Sequence, residues 1–279
     1  MDFSSAYLER FAGVGRLYGR SGLARLAAAH VAVIGLGGVG SWAVEALARS
    51  GVGEITLVDM DDVCVSNTNR QLHAISSAIG HPKTEVLAER VLAINPECRV
   101  HAVPRFFTEK TSEEILAAPF TGIIDAIDSL SPKCHLLAAC RARKIPVVAS
   151  GGCAGKRDFS AIRVTDMVQS DSDRLLKFVR KRLRQVHRFP RGEKKFGIPC
   201  VWSTELSSGD PDGCDASLPG TIGSEDDLRP NCEWGFGTAV FISGAFGFAA
   251  AGVMIEKIAS GTWPVSAAKE IPPPAAPAF

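Results

Sequence analysis

Residues 31–59 read VAVIGLGGVGSWAVEALARSGVGEITLVD. The apolar run at 31–34 is too short and too β-branched for a helix, so it predicts a buried strand. Gly35, Gly37 and Gly40 follow as G-x-G-x-x-G with Gly38 inside the motif, and Trp42, Val44 and Leu47 then take helical spacing. A strand-to-helix turn of this kind uses glycine because the backbone bends sharply. Its N–H groups must also approach a phosphate with no Cβ in the way. A second strand at 55–58 ends in Asp59, where an acid binds ribose hydroxyls. This is the first half of a nucleotide-binding βαβ unit, and by itself it does not say which nucleotide.

The chain has 279 residues, 46% hydrophobic and 22% charged, enough for a sizeable core and best read as one large domain. A net charge of +1 gives no bulk attraction to nucleic acid, so any such binding needs a local patch. The N-terminus carries charges early and has no apolar signal core, which leads us to expect a cytoplasmic protein. Its 8 cysteines never fall in a C-x-x-C pair, which argues against a structural zinc site and a redox dithiol. They are expected to be reduced thiols, most of them core fillers.

The predicted fold is a doubly wound, mostly parallel α/β sheet of Rossmann type, with an added C-terminal antiparallel portion and an apolar helix. Residues 1–30 form a helical arm, 31–150 the nucleotide-binding core, and 151–260 a C-terminal portion of the same domain. Residues 261–279, rich in proline and alanine, read as a disordered tail. Further strands are expected at 99–106, 123–127, 147–149, 161–164 and around Val201, with helices at 111–117, 131–143 and 173–187 and another that starts near His81-Pro82-Lys83 and buries Val86, Leu87, Val91 and Ile94. Residues 174–195 hold ten Lys or Arg against the single acid Glu193. Such a run reads as a solvated face or a phosphate-backbone surface, with Arg180, Lys181, Arg182 and Arg184 the candidates for the latter. Residues 207–232 read as a long mobile loop. The uncharged stretch 234–255 is long enough to span a bilayer, but its five glycines favour a helix inside the protein or at a dimer interface.

The carboxyl ends of the first, second and fourth strands gather polar groups where an open α/β sheet binds ligands. Asp61, Asn67, Asn69 and Arg70 follow Asp59, Lys83 opens the next helix, and Asp128 lies past the fourth strand. A dehydrogenase holds its pyrophosphate with backbone N–H groups and has little use for these cations. Arg70, Lys83 and an arm residue such as Arg16, with Asn67 as an amide donor and Asp128 as a magnesium ligand, suit a triphosphate whose charge rises during displacement at phosphorus. The reaction inferred is attack of a carboxylate on the α-phosphorus of ATP. A carboxylate is already ionised at neutral pH, so no general base is needed, and His73 and His81 are read as structural.

GLGGVG, LVDMDDVCVSNTNRQ, Pro82-Lys83 and AIDS at 126–129 together resemble the adenylation core of the ubiquitin-activating-enzyme-like superfamily, over about residues 10–160. The resemblance implies that Gly38 contacts the nucleotide, Asp59 the ribose, and Ser66 to Arg70 with Lys83 the phosphates. It further implies that Asp128, with Ser129 beside it, binds Mg2+, and that a homodimer forms in which an arginine such as Arg16 reaches the partner's ATP.

RFAGVGRLYG, INPECRV, DAIDSLSPK, ARKIPVVASGG, CVWSTE and GFGTAVFISGAFGF are similar to the bacterial tRNA threonylcarbamoyladenosine dehydratase family, and they reach most of the chain. That resemblance implies ATP-driven adenylation of a carboxyl on a modified tRNA base, followed by ring closure with net loss of water. Activation of a ubiquitin-like or sulfur-carrier protein is the alternative. A cysteine-desulfurase or sulfur-acceptor partner stays open with it, although the paired C-x-x-C ligands common in such activators are absent. Cys200 and Cys232 are read as packed thiols ahead of sulfur acceptors.

Overall fold

A computed structural model describes residues 3–207 and 236–263. The two apolar runs form β1 (His30–Ile34) and β2 (Glu54–Val58), joined by α2 (Gly38–Arg49) and paired in parallel from His30–Glu54 to Ile34–Val58. β3 (Arg99–Val103) continues the parallel sheet on one side, and β4 (Gly122–Asp125) and β5 (Val147–Ser150) continue it on the other. β7 (Pro199–Ser203) pairs parallel with β5, and β6 (Ile162–Asp166) closes the edge antiparallel to β7. The order β3-β2-β1-β4-β5-β7-β6 is the predicted doubly wound, mostly parallel α/β sheet with a C-terminal antiparallel portion. Its direction of winding reverses between β1 and β4, where such sheets open a crevice at the carboxyl ends of their strands.

The two sheet faces bury separate cores. On one face Val31, Val33, Ile55 and Leu57 pack under α1 (Ser5–Ala28), α2, α3 (Lys83–Ile94) and α7 (Val240–Ser260). On the other, Ala32, Ile34 and Ile123 pack under α5 (Leu130–Arg143) and α6 (Arg174–Val186), with the short α4 (Ser112–Ile115) beside them.

Several boundaries differ from expectation for local reasons. α1 starts at a Ser4 cap, which accepts from Tyr7 N at 2.9 Å, and continues through its glycines with a kink at Gly19, where φ is 74°. β3 ends at Val103, ahead of Pro104. β4 ends at Asp125 because Asp125 Oδ1 accepts from Ile127 N at 3.1 Å and turns the chain two residues early. The expected mobile loop lies almost wholly outside the described residues, as does most of the tail.

By length and composition α7 could cross a membrane, yet 56% of its apolar window is buried within the protein. Glycine explains how. A Cβ on Gly247 would sit 2.5 Å from Val39 O and 2.8 Å from Trp42 Cβ, so the absent side chain lets α7 lie directly on α2. Gly247→Ala is expected to wedge the two helices apart at a cost of about 1–3 kcal/mol. A lowered melting temperature of the nucleotide-free protein checks this.

Candidate active site

Gly35 and Gly40 shape the glycine turn rather than its surface. Gly35 has φ 89°, and a Cβ on Gly40 would lie 1.8 Å from Gly35 O. Gly37 is the N-cap of α2 and supplies no side-chain acceptor, so the first N–H groups of the helix lack a side-chain cap. Uncapped amides at the positive end of a helix attract anions. Gly37, Gly38 and Val39 form one wall of a cleft of about 460 Å³.

Arg70 and Ser66 continue that wall. The Arg70 carbonyl accepts from Trp42 Nε1 at 3.0 Å and from Ser243 Oγ at 3.2 Å, which pins the segment to both α2 and α7. Asn69, also in the wall, donates to Thr238 O at 2.8 Å. The Arg70 guanidinium donates to Ser66 O at 2.8 Å and Asn69 Oδ1 at 3.0 Å, so its charge is held at the cleft. Beside Gly37, the buried Gln71 carries an Oε1 without a hydrogen-bond partner among the described residues.

The floor comes from the loop after β4. Asp125 and Lys133 form a fully buried ion pair at 2.9 Å, and Lys133 Nζ also donates to Ile127 O at 2.9 Å. The pair braces Ala126, Ile127 and Asp128, all of which line the cleft. Asp128 opens into it, although the enclosing walls remove enough water to push its carboxyl above the usual range. Asp128 Oδ1 accepts from Ser129 Oγ at 3.4 Å.

The far wall contains residues the sequence reading missed: Ser150, Gly151, Gly152, Cys153, Lys156, Asp173 and Arg174. Asp173 caps α6, accepting from Leu176 N at 2.9 Å, and its other oxygen accepts from Gly152 N at 2.9 Å. A Cβ on Gly151 would fall 2.3 Å from that carboxylate, so the Gly151-Gly152 pair is a packing requirement. Lys156 is buried, donating to Glu205 O at 2.9 Å. The Gly-Gly after β5 was the only sequence signal for this wall.

Six expected site residues, Gly37, Gly38, Ser66, Asn69, Arg70 and Asp128, thus converge on one cleft. Others stand beside it. Asp59 braces the glycine turn, accepting from Leu36 N at 2.6 Å and Asp61 N at 2.9 Å. Lys83 is buried and pairs with Asp61 at 2.8 Å, and Asn67 is buried in its own turn, accepting from Cys64 N at 3.2 Å. Arg16 is exposed on α1, away from the cleft lining. His73 is buried, and desolvation together with the Lys83 charge pushes it down to about 4, which favours the neutral ring.

The basic segment needs correction. Arg180 is 8% exposed and donates to Ser170 O and Oγ. Arg184 donates to Pro190 O and Gly192 O and covers the Phe196 ring. Both guanidiniums are tied into the fold, which removes them from a free phosphate-binding surface. Lys181 and Arg182 instead line a small surface depression that shares Phe178 with the cleft. Cys200 is fully buried in β7 with its thiol pushed up by burial, as a packed thiol should be. Cys232 lies outside the described residues.

Residues 10–184 match the ThiF family. The tRNA threonylcarbamoyladenosine dehydratase of Escherichia coli is 45% identical over 91% of this chain and 95% of its own length. That of Haemophilus influenzae is 45% identical over 90% of this chain and 94% of its own. The crystal structure of the Escherichia coli enzyme in complex with ATP superposes with a TM-score of 0.82 at 41% identity, covering 94% of this chain and 98% of that one.

Proposed function

The chain belongs to the ThiF family and groups there with the tRNA threonylcarbamoyladenosine dehydratases, and on that premise we propose that it uses ATP to dehydrate N6-threonylcarbamoyladenosine in tRNA. The observation that carries this reading is the cleft that joins the uncapped start of α2 to Arg70 on one side and Asp128 on the other. ATP suits this cleft. The amides of α2 and the Arg70 guanidinium take its phosphates, and Asp59, beside the cleft after β2, is assigned to the ribose.

The substrate carboxylate attacks the α-phosphorus, and pyrophosphate leaves as an acyl-adenylate forms. Arg70 stabilises the charge gathering on the departing oxygen. A nucleophile within the same modified base then attacks the activated carbonyl, closing a ring and expelling AMP. No side chain must remove a proton from the attacking carboxylate, in keeping with a cleft lining that holds no histidine among the described residues. Asp128 offers a hard carboxylate oxygen with the Ser129 hydroxyl next to it, a donor set that fits Mg2+. The bound ion would neutralise phosphate charge.

The tRNA backbone approaches along Lys181 and Arg182, whose depression meets the cleft at Phe178. Lys181→Glu with Arg182→Glu is expected to weaken tRNA binding and reduce its salt dependence by about one to two counterions. Arg180→Ala should instead lower the melting temperature. Filter binding across a salt series separates the two.

A second copy of the chain covers the apolar stripe of α7, where Phe241 is 53% and Phe248 50% exposed. Arg16 lies next to the exposed Leu17 and is free of its own cleft, which supports its reaching the partner's ATP. A cytoplasmic location goes with a tRNA substrate. The function is tested by incubating the protein with ATP and tRNA carrying the open modified base. Mass spectrometry of the nucleosides should show loss of one water, strictly dependent on ATP; an unchanged nucleoside contradicts the reading.

A further inference from the structure

Three potential ligands that the adenylation chemistry does not use meet on the α5-side face of the sheet, at β1, β2 and β3. His101 Nε2 lies 2.8 Å from Glu54 Oε1, and His30 Nδ1 lies 3.7 Å from the same oxygen. The three donor atoms all fall within 4.8 Å of one another. Two of the three have a support that aims them. Thr56 Oγ1 bonds His30 Nε2 at 2.8 Å, leaving Nδ1 turned toward the carboxylate, and Phe120 packs on the His30 ring at 4.6 Å between centroids. Arg99 holds the other Glu54 oxygen. His101 is half exposed and leaves the cluster open to solvent on one side.

We propose that His30, Glu54 and His101 bind a divalent transition-metal ion of the Zn2+ type, through two imidazole nitrogens and one carboxylate oxygen, with water completing its shell. Nitrogen-rich sets of this kind favour Zn2+ over Mg2+, which prefers oxygen throughout. Thr56 and Arg99 serve as the outer partners that fix ligand orientation. On binding, the hydrogen bond between His101 and Glu54 gives way to two metal bonds, and any proton on His101 Nε2 passes to solvent. The site clamps three neighbouring strands. It lies toward the start of β1 and β2, at the opposite end from the glycine turn and Asp59, so it is separate from the Asp128 position. Each strand supplies one ligand, so no short spacing in the sequence announces it.

The test is calorimetric titration of the intact protein with Zn2+ in excess Mg2+ and without nucleotide, paired with the visible spectrum of bound Co2+. One equivalent of Zn2+ should bind, weakened about 100-fold or more in His101→Ala and in Glu54→Gln but retained in Asp128→Asn. Saturating Zn2+ should raise the wild-type melting temperature by about 5 °C. His101 lies on an exposed edge strand, so its alanine variant is expected to fold, and circular dichroism verifies this. Zn2+ binding equally tight in the folded His101→Ala protein would overturn the proposal. So would no binding at all, or a Co2+ spectrum dominated by thiolate charge transfer.

Discussion

Arg70→Ala is expected to lower tRNA-dependent ATP–pyrophosphate exchange by about 10²–10³-fold, the usual cost of removing one preorganised charge from a developing oxyanion. The loss should fall on kcat more than on KM, because charge accumulates on the leaving oxygen only as the bond to the α-phosphorus breaks. Folding should be little affected. The contacts that anchor this segment, from Trp42 Nε1 and Ser243 Oγ, end on the Arg70 carbonyl, which alanine keeps. Among the described residues the side chain bonds to Ser66 O and Asn69 Oδ1 at the cleft surface. Arg70→Lys should recover only part of the rate, since a point charge cannot reproduce a planar fork. Steady-state kinetics alongside melting curves checks both halves of the expectation.

Lys133→Met is expected to cost about 3–5 kcal/mol, the penalty for stranding one member of a buried ion pair. Neither Lys133 nor Asp125 has solvent-exposed side-chain surface, so an unpaired Asp125 has no water to turn to. The same substitution removes the Lys133 Nζ bond to Ile127 O and frees the strip that carries Asp128, so activity should fall with stability. Adding Asp125→Asn to Lys133→Met removes the stranded charge and should return part of the stability without the activity. Urea denaturation midpoints of the single and double variants test this coupling.

The nucleotide-binding half of the fold was legible because its signals are local. A β-branched run, three glycines at fixed spacing and an acid at the end of the next strand fall within thirty residues and need no partner elsewhere. The far wall was not, since Lys156 and Asp173 reach the cleft only after β5 and α6 have packed. Nor could the sequence assign a partner to α7: its glycines signalled close approach, but that they meet Val39 and Trp42 is a tertiary fact. Lys83 has a setting that only the folded chain shows. It does open α3, yet the helix start is folded back on the loop after β2, so its ammonium is buried against Asp61.

Arg180 is the instructive case, because periodicity held the answer. Leu176, Val179 and Leu183 make the buried stripe of α6, and position 180 falls in phase with it. Net charge over a window hides this. Within one basic run the helical phase decides which cations face water and which are drawn in to satisfy carbonyls such as that of Ser170.

The central claim is that the carboxylate of the modified base attacks ATP and is carried through as its adenylate. It is tested most directly with tRNA whose threonylcarbamoyl carboxylate is labelled with heavy oxygen. Attack at the α-phosphorus followed by ring closure must leave one carboxylate oxygen on the released AMP, so mass spectrometry should find AMP heavier by one label. Dehydrated product formed together with unlabelled AMP would contradict the account.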